Sequence, residues 1–362
     1  MIIGIDASKS ALEKRTGVEN TVYEIILAMN KIQTNHGIFL YTNKRLPAKL
    51  KSNPMFLEKY IPAPFFWNKL RLPLALRKDK PEIFFAPSYM LPACAPKKSA
   101  IIIHDLAWQK FPAAYSGFQK FMQRKALENA ISKAKIIICP SQSTADDLID
   151  ASPKVKDRIK VVPFAYNPDL FHPIVHPEKI IETESPFILF AGRLESRKNV
   201  ARLVSAFYQA KKKSDIPHKL VLAGDPGYGW PEINSVIESE PELKKEIILP
   251  GHISYDKMPD LMSAANVFAF ATLYEGFGLP VLEAMACGTP VLAANNSATK
   301  EVAGDAALLI DAENIEEMTD NLIKICRDSV LRRGLIKAGY DRIKKFSWAK
   351  TATEILKILE DL

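Results

Sequence analysis

Short β-branched runs alternate with amphipathic stretches from one end of this 362-residue chain to the other, and that alternation leaves few folds open. A chain that keeps returning from helix to strand builds parallel sheets covered by helices on both faces. In the first half the strand-like runs fall at 2–5, 38–41, 83–86, 100–103, 136–139 and 161–162; in the second half they fall at 187–191, 219–223, 247–249, 267–271, 291–294 and 307–310. Helical periodicity occupies about 18–32, 119–134, 143–148, 200–213 and 255–264. The expectation is α/β with two Rossmann-like, doubly wound parallel sheets. The joint holding Pro163, Pro168, Pro173 and Pro177 separates a domain at 1–167 from one at 168–346. A last helix near 348–359 has one apolar face.

Composition narrows the class. An apolar share of 48% with 25% charged residues is globular, and no run reaches the ~20 apolar residues of a membrane span. Met1-Ile-Ile-Gly-Ile-Asp6 reads as a strand, not a signal peptide. Cys94, Cys139, Cys287 and Cys326 stand apart with no CxxC pair, which indicates neither disulfides nor zinc and fits a reducing cytoplasm. Charge is uneven: residues 1–172 carry 26 Lys/Arg against 14 Asp/Glu, the remainder 23 against 27. A basic first half points to an anionic partner, either a membrane surface or a lipid diphosphate, or is simply a lysine-rich solvated surface. Nucleic acid is not expected, because no recognition motif accompanies the charge. Residues 64–78, Pro64-Phe-Phe-Trp67 through Arg77-Lys78, interleave bulky apolar groups with cations, as an interfacial segment does; a buried acceptor-side helix is the alternative.

The chemistry concentrates at 273–291. After the strand at 267–271, Glu275-Gly-Phe277-Gly278 turns the chain sharply, and Pro280 suits the start of a helix that should stop near Cys287, before Gly288 and Pro290. N–H groups at Gly278 and Leu279, with the positive end of the helix dipole, form an anion site suited to a diphosphate. Glu275 before the turn and Glu283 one helical turn after it are placed to hold hydroxyls on either side of that anion. A sugar nucleotide has hydroxyls on its hexose and its ribose. The bland alternative makes Phe277, Leu282 and Met285 a core stripe and the glutamates a solvated face.

This Glu275…Glu283 spacing resembles the E-x7-E signature of retaining glycosyltransferases of family 4, and with 103–107, 197–199 and 276–280 the likeness extends to the O-antigen mannosyltransferase branch. The resemblance implies a GT-B architecture, two domains facing each other across a cleft with 347–362 crossing back to the first domain, and transfer of a hexose with retention, the departing phosphate acting as base. GDP-mannose is the first choice of donor, with UDP-glucose or UDP-N-acetylglucosamine next. The acceptor is expected to be a glycan or a polyprenyl-diphosphate-linked sugar.

Further residues follow from strand ends. Gly192-Arg193 through Lys198-Asn199 succeeds a strand and precedes a helix for which Asn199 is a suitable N-cap. Arg193 offers a planar fork and Lys198 a mobile point charge for the leaving diphosphate, as the resemblance also implies; the alternative is a surface loop across which Arg197 and Glu195 pair. Arg15-Thr16-Gly17 looks like the family's glycine loop, with Gly17 allowing close backbone approach. His104-Asp105 ends a strand; the resemblance sets the histidine against the transferred hexose, and Asp105 is expected to cap the next segment. Gly251, His252 and Ile253 match a segment whose backbone faces the nucleobase. No D-x-D motif occurs and His172/His176 flank Pro173, so no metal or other cofactor is expected. Two other classes stand beside the transferase: a sugar-nucleotide-binding protein without turnover, and a phosphorylase, which needs a pyridoxal-bearing lysine.

Overall fold

The computed structural model describes residues 1–12, 17–62 and 65–362. The chain divides into two compact units, Met1–Ala165 with Ser347–Leu362, and Tyr166–Phe346. The first unit carries a seven-stranded parallel sheet of order β3-β2-β1-β4-β5-β6-β7. Its strands are β1 Ile2–Asp6, β2 Gly37–Thr42, β3 Phe56–Tyr60, β4 Ile83–Ala86, β5 Ser99–Ile102, β6 Ile136–Cys139 and β7 Ile159–Val161. Helices α1 Gly17–Asn30, α2 Leu72–Asp79, α3 Ala107–Lys110, α4 Gly117–Lys133 and α5 Gln142–Ala151 connect them. The central strands are uninterrupted apolar runs because helices bury both their faces. The edge strand β3, which the sequence pattern did not reveal, holds Glu58 and Lys59 among its five residues, charges that an edge tolerates.

The second unit has six parallel strands in the order β10-β9-β8-β11-β12-β13. They are β8 Phe187–Ala191, β9 Lys219–Ala223, β10 Ile247–Gly251, β11 Val267–Phe270, β12 Val291–Ala294 and β13 Ala307–Ile310. The helices are α6 Val200–Ser214, α7 Trp230–Glu238, α8 Pro241–Lys244, α9 Met258–Ala264, α10 Leu279–Ala286, α11 Ser297–Ala303, α12 Ile315–Arg327 and α13 Ser329–Ile343. Leu203, Val204 and Phe207 of α6 and Met318, Leu322 and Ile325 of α12 repeat at helical spacing and close one face of this sheet into a single core.

The terminal helix α14, Trp348–Glu360, belongs to the first unit. Its Thr351 hydroxyl donates to the Pro163 carbonyl at 2.6 Å, Glu360 meets His36 at 3.0 Å, and Trp348 lies 6.0 Å from the Phe164 ring. The expected division at 167/168 falls two residues beyond the observed one at 165/166. Among the described residues no helix is long and apolar enough to cross a membrane.

Candidate active site at the carboxyl ends of β8 and β11

In the second sheet β8 lies between β9 and β11, so the chain winds outward in opposite directions from the β8/β11 pair. A reversal of this kind opens a crevice beyond the strand ends, where α/β sheets take ligands. Gly192, Gly224 and Gly251 finish β8, β9 and β10 with φ of 144°, 149° and 73°. Their backbones interlock: the Gly192 N–H donates to the Ala223 carbonyl at 2.9 Å and the Gly224 N–H to the Gly251 carbonyl at 2.8 Å. A Cβ on Gly224 would stand 1.9 Å from the Gly192 oxygen, so only glycine permits this approach.

On the β8 side, the Leu194 N–H donates to the Asp225 carbonyl and the Gly227 N–H to the Leu194 carbonyl, lashing the loop after β8 to the loop after β9. One short turn, Ser196–Lys198, then sets the Lys198 ammonium 2.5 Å from Glu275 Oε1 and 5.4 Å from the Phe270 ring centre. Arg197 donates to Glu195 at 2.9 Å, the pair the alternative reading named, and to the Tyr274 carbonyl at 2.8 Å. It also lies 3.5 Å from Glu275. Arg193 is exposed, and among the described residues no ion pair involves it. Asn199 corrects an expectation. Its side chain does not cap α6; the residue is left-handed at φ 62° and buried, and its amide donates to the carbonyls of Ala271 at 3.0 Å and Ala312 at 2.6 Å. Packing demands, not capping, fix an asparagine there, and it ties the Lys198 turn to the end of β11.

On the β11 side, the Glu275 N–H donates to Ser297 Oγ at 3.2 Å and the Asn296 amide to the Thr272 carbonyl at 3.1 Å. The turn closes with Gly278 at φ 102°, and α10 begins at Leu279 with Pro280 second and no side-chain cap. The positive end of that helix therefore follows Glu275 closely in the chain, with no side chain capping its N–H groups. Gly288, at φ 77°, follows the helix end. Phe277 proves to be core: it is buried and meets Phe346 edge-on at 6.0 Å, so only its backbone is available to a ligand. Leu282 and Met285 are buried as well, yet the glutamates are not a solvated face. Glu283 is 7% exposed, and the Tyr255 hydroxyl donates to its Oε1 at 3.0 Å. Burial pushes its carboxyl up to about 7 despite the opposing pull of the Tyr255 bond.

Gly251 leads into His252, which is exposed with Nδ1 3.9 Å from Asp225 Oδ2, and Ile253, which is half-buried. In the first unit, His104 Nε2 lies 2.8 Å from the Pro87 carbonyl. A carbonyl only accepts, so Nε2 carries the hydrogen and Nδ1 of the neutral ring is left as an acceptor. Burial holds the imidazole below its usual range. Asp105 accepts from the Ala107 N–H at 2.9 Å, a local turn one residue before the N-cap position Leu106 of α3. Asp6, at the end of β1, is buried and accepts from the Ser8 N–H and the Trp67 indole; burial raises its carboxyl. That bond corrects the reading of Trp67 as a headgroup-facing aromatic, because its ring packs against the core of the first unit. Gly17 opens α1, and a Cβ there would meet open space, so no close approach within the protein demands glycine. Arg15, Thr16 and Pro64 lie outside the described residues.

The sequence reading missed Tyr255, Ser297 and Asn296. The last two sit at the start of a helix after β12, a strand-end signal like the one that exposed Lys198; Tyr255 gave no local sign of its partner 28 residues away.

Comparison with known proteins shows the family and the fold. Residues 15–170 match the model "Glycosyltransferase Family 4" and residues 173–342 match "Glycosyl transferases group 1". O-antigen chain mannosyltransferase B of Escherichia coli is 26% identical over 330 residues, 89% of this chain and 83% of its own length. A Campylobacter jejuni N-acetylgalactosaminyltransferase, named for a diphospho-undecaprenol-linked acceptor, is 27% identical over 86% of this chain and 84% of its own. Among solved structures, sucrose-phosphate synthase from Thermosynechococcus elongatus superposes with a TM-score of 0.76 at 20% identity, covering 100% of this chain and 98% of that one. Anabaena HepE in complex with UDP and glucose gives 0.72 at 19%, covering 100% and 99%. The chain belongs to the GT-B glycosyltransferases, with a family 4 module followed by a group 1 module, and resembles the O-antigen mannosyltransferases within them.

Proposed function

We propose that the protein transfers mannose from GDP-mannose, with retention, to a hydroxyl of a polyprenyl-diphosphate-linked glycan at the cytoplasmic face of a membrane. The observation that carries the reading is the Lys198–Glu275 pair at the β8/β11 reversal, followed in the chain by the start of α10, which no side chain caps, with Glu283 buried one helical turn further on. The donor diphosphate lies against the Gly278 and Leu279 N–H groups, and Arg193 and Lys198 neutralise the charge that grows on it as the bond to the anomeric carbon breaks. The acceptor oxygen forms the new bond on the same face, and its proton passes to the departing phosphate oxygen. Glu275 orients the hexose, Glu283 the ribose, and the Gly251 to Ile253 backbone borders the base. His104 Nδ1 accepts from a sugar hydroxyl, and Gly17 leaves room for the acceptor. Two cationic side chains and a helix dipole supply the neutralisation that a metal provides elsewhere, so no metal cofactor is assigned.

Full-chain protein incubated with GDP-mannose and a lipid-linked glycan should yield an α-linked product by NMR, undiminished in EDTA. Transfer from UDP-glucose but not GDP-mannose would replace the donor. Donor binding with neither transfer nor hydrolysis would favour a binding protein, and loss in EDTA restored by magnesium would overturn the metal-free chemistry.

A further inference from the structure

Helix α4 carries two apolar stripes on opposite sides. Leu127, Ala130 and Ile131 face the core, whereas Phe118, Phe121 and Met122 are 74%, 49% and 39% exposed. Each member of the first set follows one of the second by nine residues, about half a turn of rotation at roughly 100° per residue. The amino-terminal half of α4 therefore presents its greasy side to water. The spacing 118, 121, 122, 125 is one continuous helical face, and Lys125 extends it. Around it stand Lys120 and Arg124, against Glu128 as the helix's one acidic residue.

A second exposed pair lies on the same face of the same sheet. Phe65 and Phe66, 76% and 69% exposed, lead into the turn Trp67–Arg71 that opens α2. Helices α2 and α4 join β3 to β4 and β5 to β6, crossing the sheet in the same direction, and right-handed crossovers put both on one face. Leu72 and Leu76 of α2 share one core with Leu127 and Ala130 of α4, as that placement requires. Both helices start beyond the carboxyl ends of strands, so the two exposed aromatic pairs border the same edge of the first unit.

We propose that this edge docks onto an anionic phospholipid bilayer, with Phe118, Phe121 and Met122 of α4 entering the headgroup boundary beside Phe65 and Phe66. Exposed aromatics ringed by cations match such a surface in both its layers: rings meet acyl chains, while Arg71, Lys120, Arg124 and Lys125 meet lipid phosphates. Five apolar side chains on two short segments fall short of the roughly 800 Å² per partner that a stable protein interface takes. The docking deepens the lipid-linked acceptor reading and is separable from it, because vesicle binding requires neither donor nor acceptor.

The test is sedimentation of the full chain with vesicles of phosphatidylglycerol and phosphatidylcholine. Binding should be strong at about 50 mM salt and fade by about 500 mM, where screening shortens the Debye length to roughly 4 Å. Phe118→Ser with Phe121→Ser should lower the partition about tenfold while leaving the melting temperature and the nucleotide-induced thermal shift of the parent unchanged. The indole introduced by Phe118→Trp should shift its emission to the blue on these vesicles and not on phosphatidylcholine alone. Unchanged sedimentation of the double serine variant, or an unshifted emission from the Phe118→Trp reporter, would overturn the assignment. So would a concentration-dependent dimer that the serine pair abolishes while vesicles bind neither form.

Discussion

At the scale of single residues, Glu283 is the most informative group. Its folded carboxyl titrates near 7 against an ordinary value of 4.5, because burial penalises the charge. A raised carboxyl binds protons more tightly in the folded chain, so its contribution to stability is largest below pH 4.5 and is lost as pH rises through 7. Glu283→Gln removes that penalty and should stabilise the protein at pH 8 by on the order of 2 kcal/mol, with little effect at pH 4, as chemical denaturation at the two pH values would show. Ribose hydroxyls donate best to a carboxylate, so donor affinity should rise with pH through about 7 in the parent and lose that dependence in Glu283→Gln. A flat pH profile in the parent would place the ribose elsewhere. Lys198 and Glu275 form a second pair of tests. Lys198→Ala should lower transfer by about a hundredfold with a small change in melting temperature, because it removes charge stabilisation in the transition state. Glu275→Gln frees Lys198 while keeping a polar group for the hexose, and about a tenfold fall in kcat with KM nearly unchanged is expected.

At the scale of elements, the interlocked glycines that end β8, β9 and β10 set the floor of the site. Gly224→Ala places a Cβ 1.9 Å from the Gly192 carbonyl at a φ of 149°. It should cost about 3 kcal/mol or more, read as a fall in the denaturation midpoint. The same elements show why most of the fold was legible. Strands such as Phe187–Ala191 are buried on both faces, so they stand out as continuous apolar runs. The edge strand Phe56–Tyr60 has no such run and was invisible. The turn into α10 was legible because Gly278 and Pro280 are demanded by local backbone geometry. What escaped depends on distant packing: Asn199 looks like an N-cap but answers to the carbonyls of Ala271 and Ala312, and the shifted carboxyl of Glu283 arises from burial that no local pattern encodes. Phe277 lies inside the ligand motif while its ring serves the core, since a motif does not distinguish a side chain's role from its backbone's.

At the scale of the whole molecule, the first unit is completed by residues from the far end of the chain. In α14, Ile355 and Leu359 are fully buried and Thr351 is bonded to Pro163. Ending the chain at Phe346 removes those anchors and should cost the first unit several kcal/mol, seen as a lowered calorimetric transition. The Lys/Arg residues of the basic first half all fall in this unit and the proposed donor site falls in the other, as the proposal of an anionic acceptor for one and a nucleotide for the other expects. The central claim is that the second unit binds a sugar nucleotide at the carboxyl ends of β8 and β11. The most direct test is the thermal shift produced by GDP-mannose in the parent and in Arg193→Ala with Lys198→Ala, since a ligand bound only by the folded state raises apparent stability. The account predicts a clear rise in the parent that is largely lost in the double variant. A parent that responds to no sugar nucleotide, or a variant that responds as strongly as the parent, would contradict it.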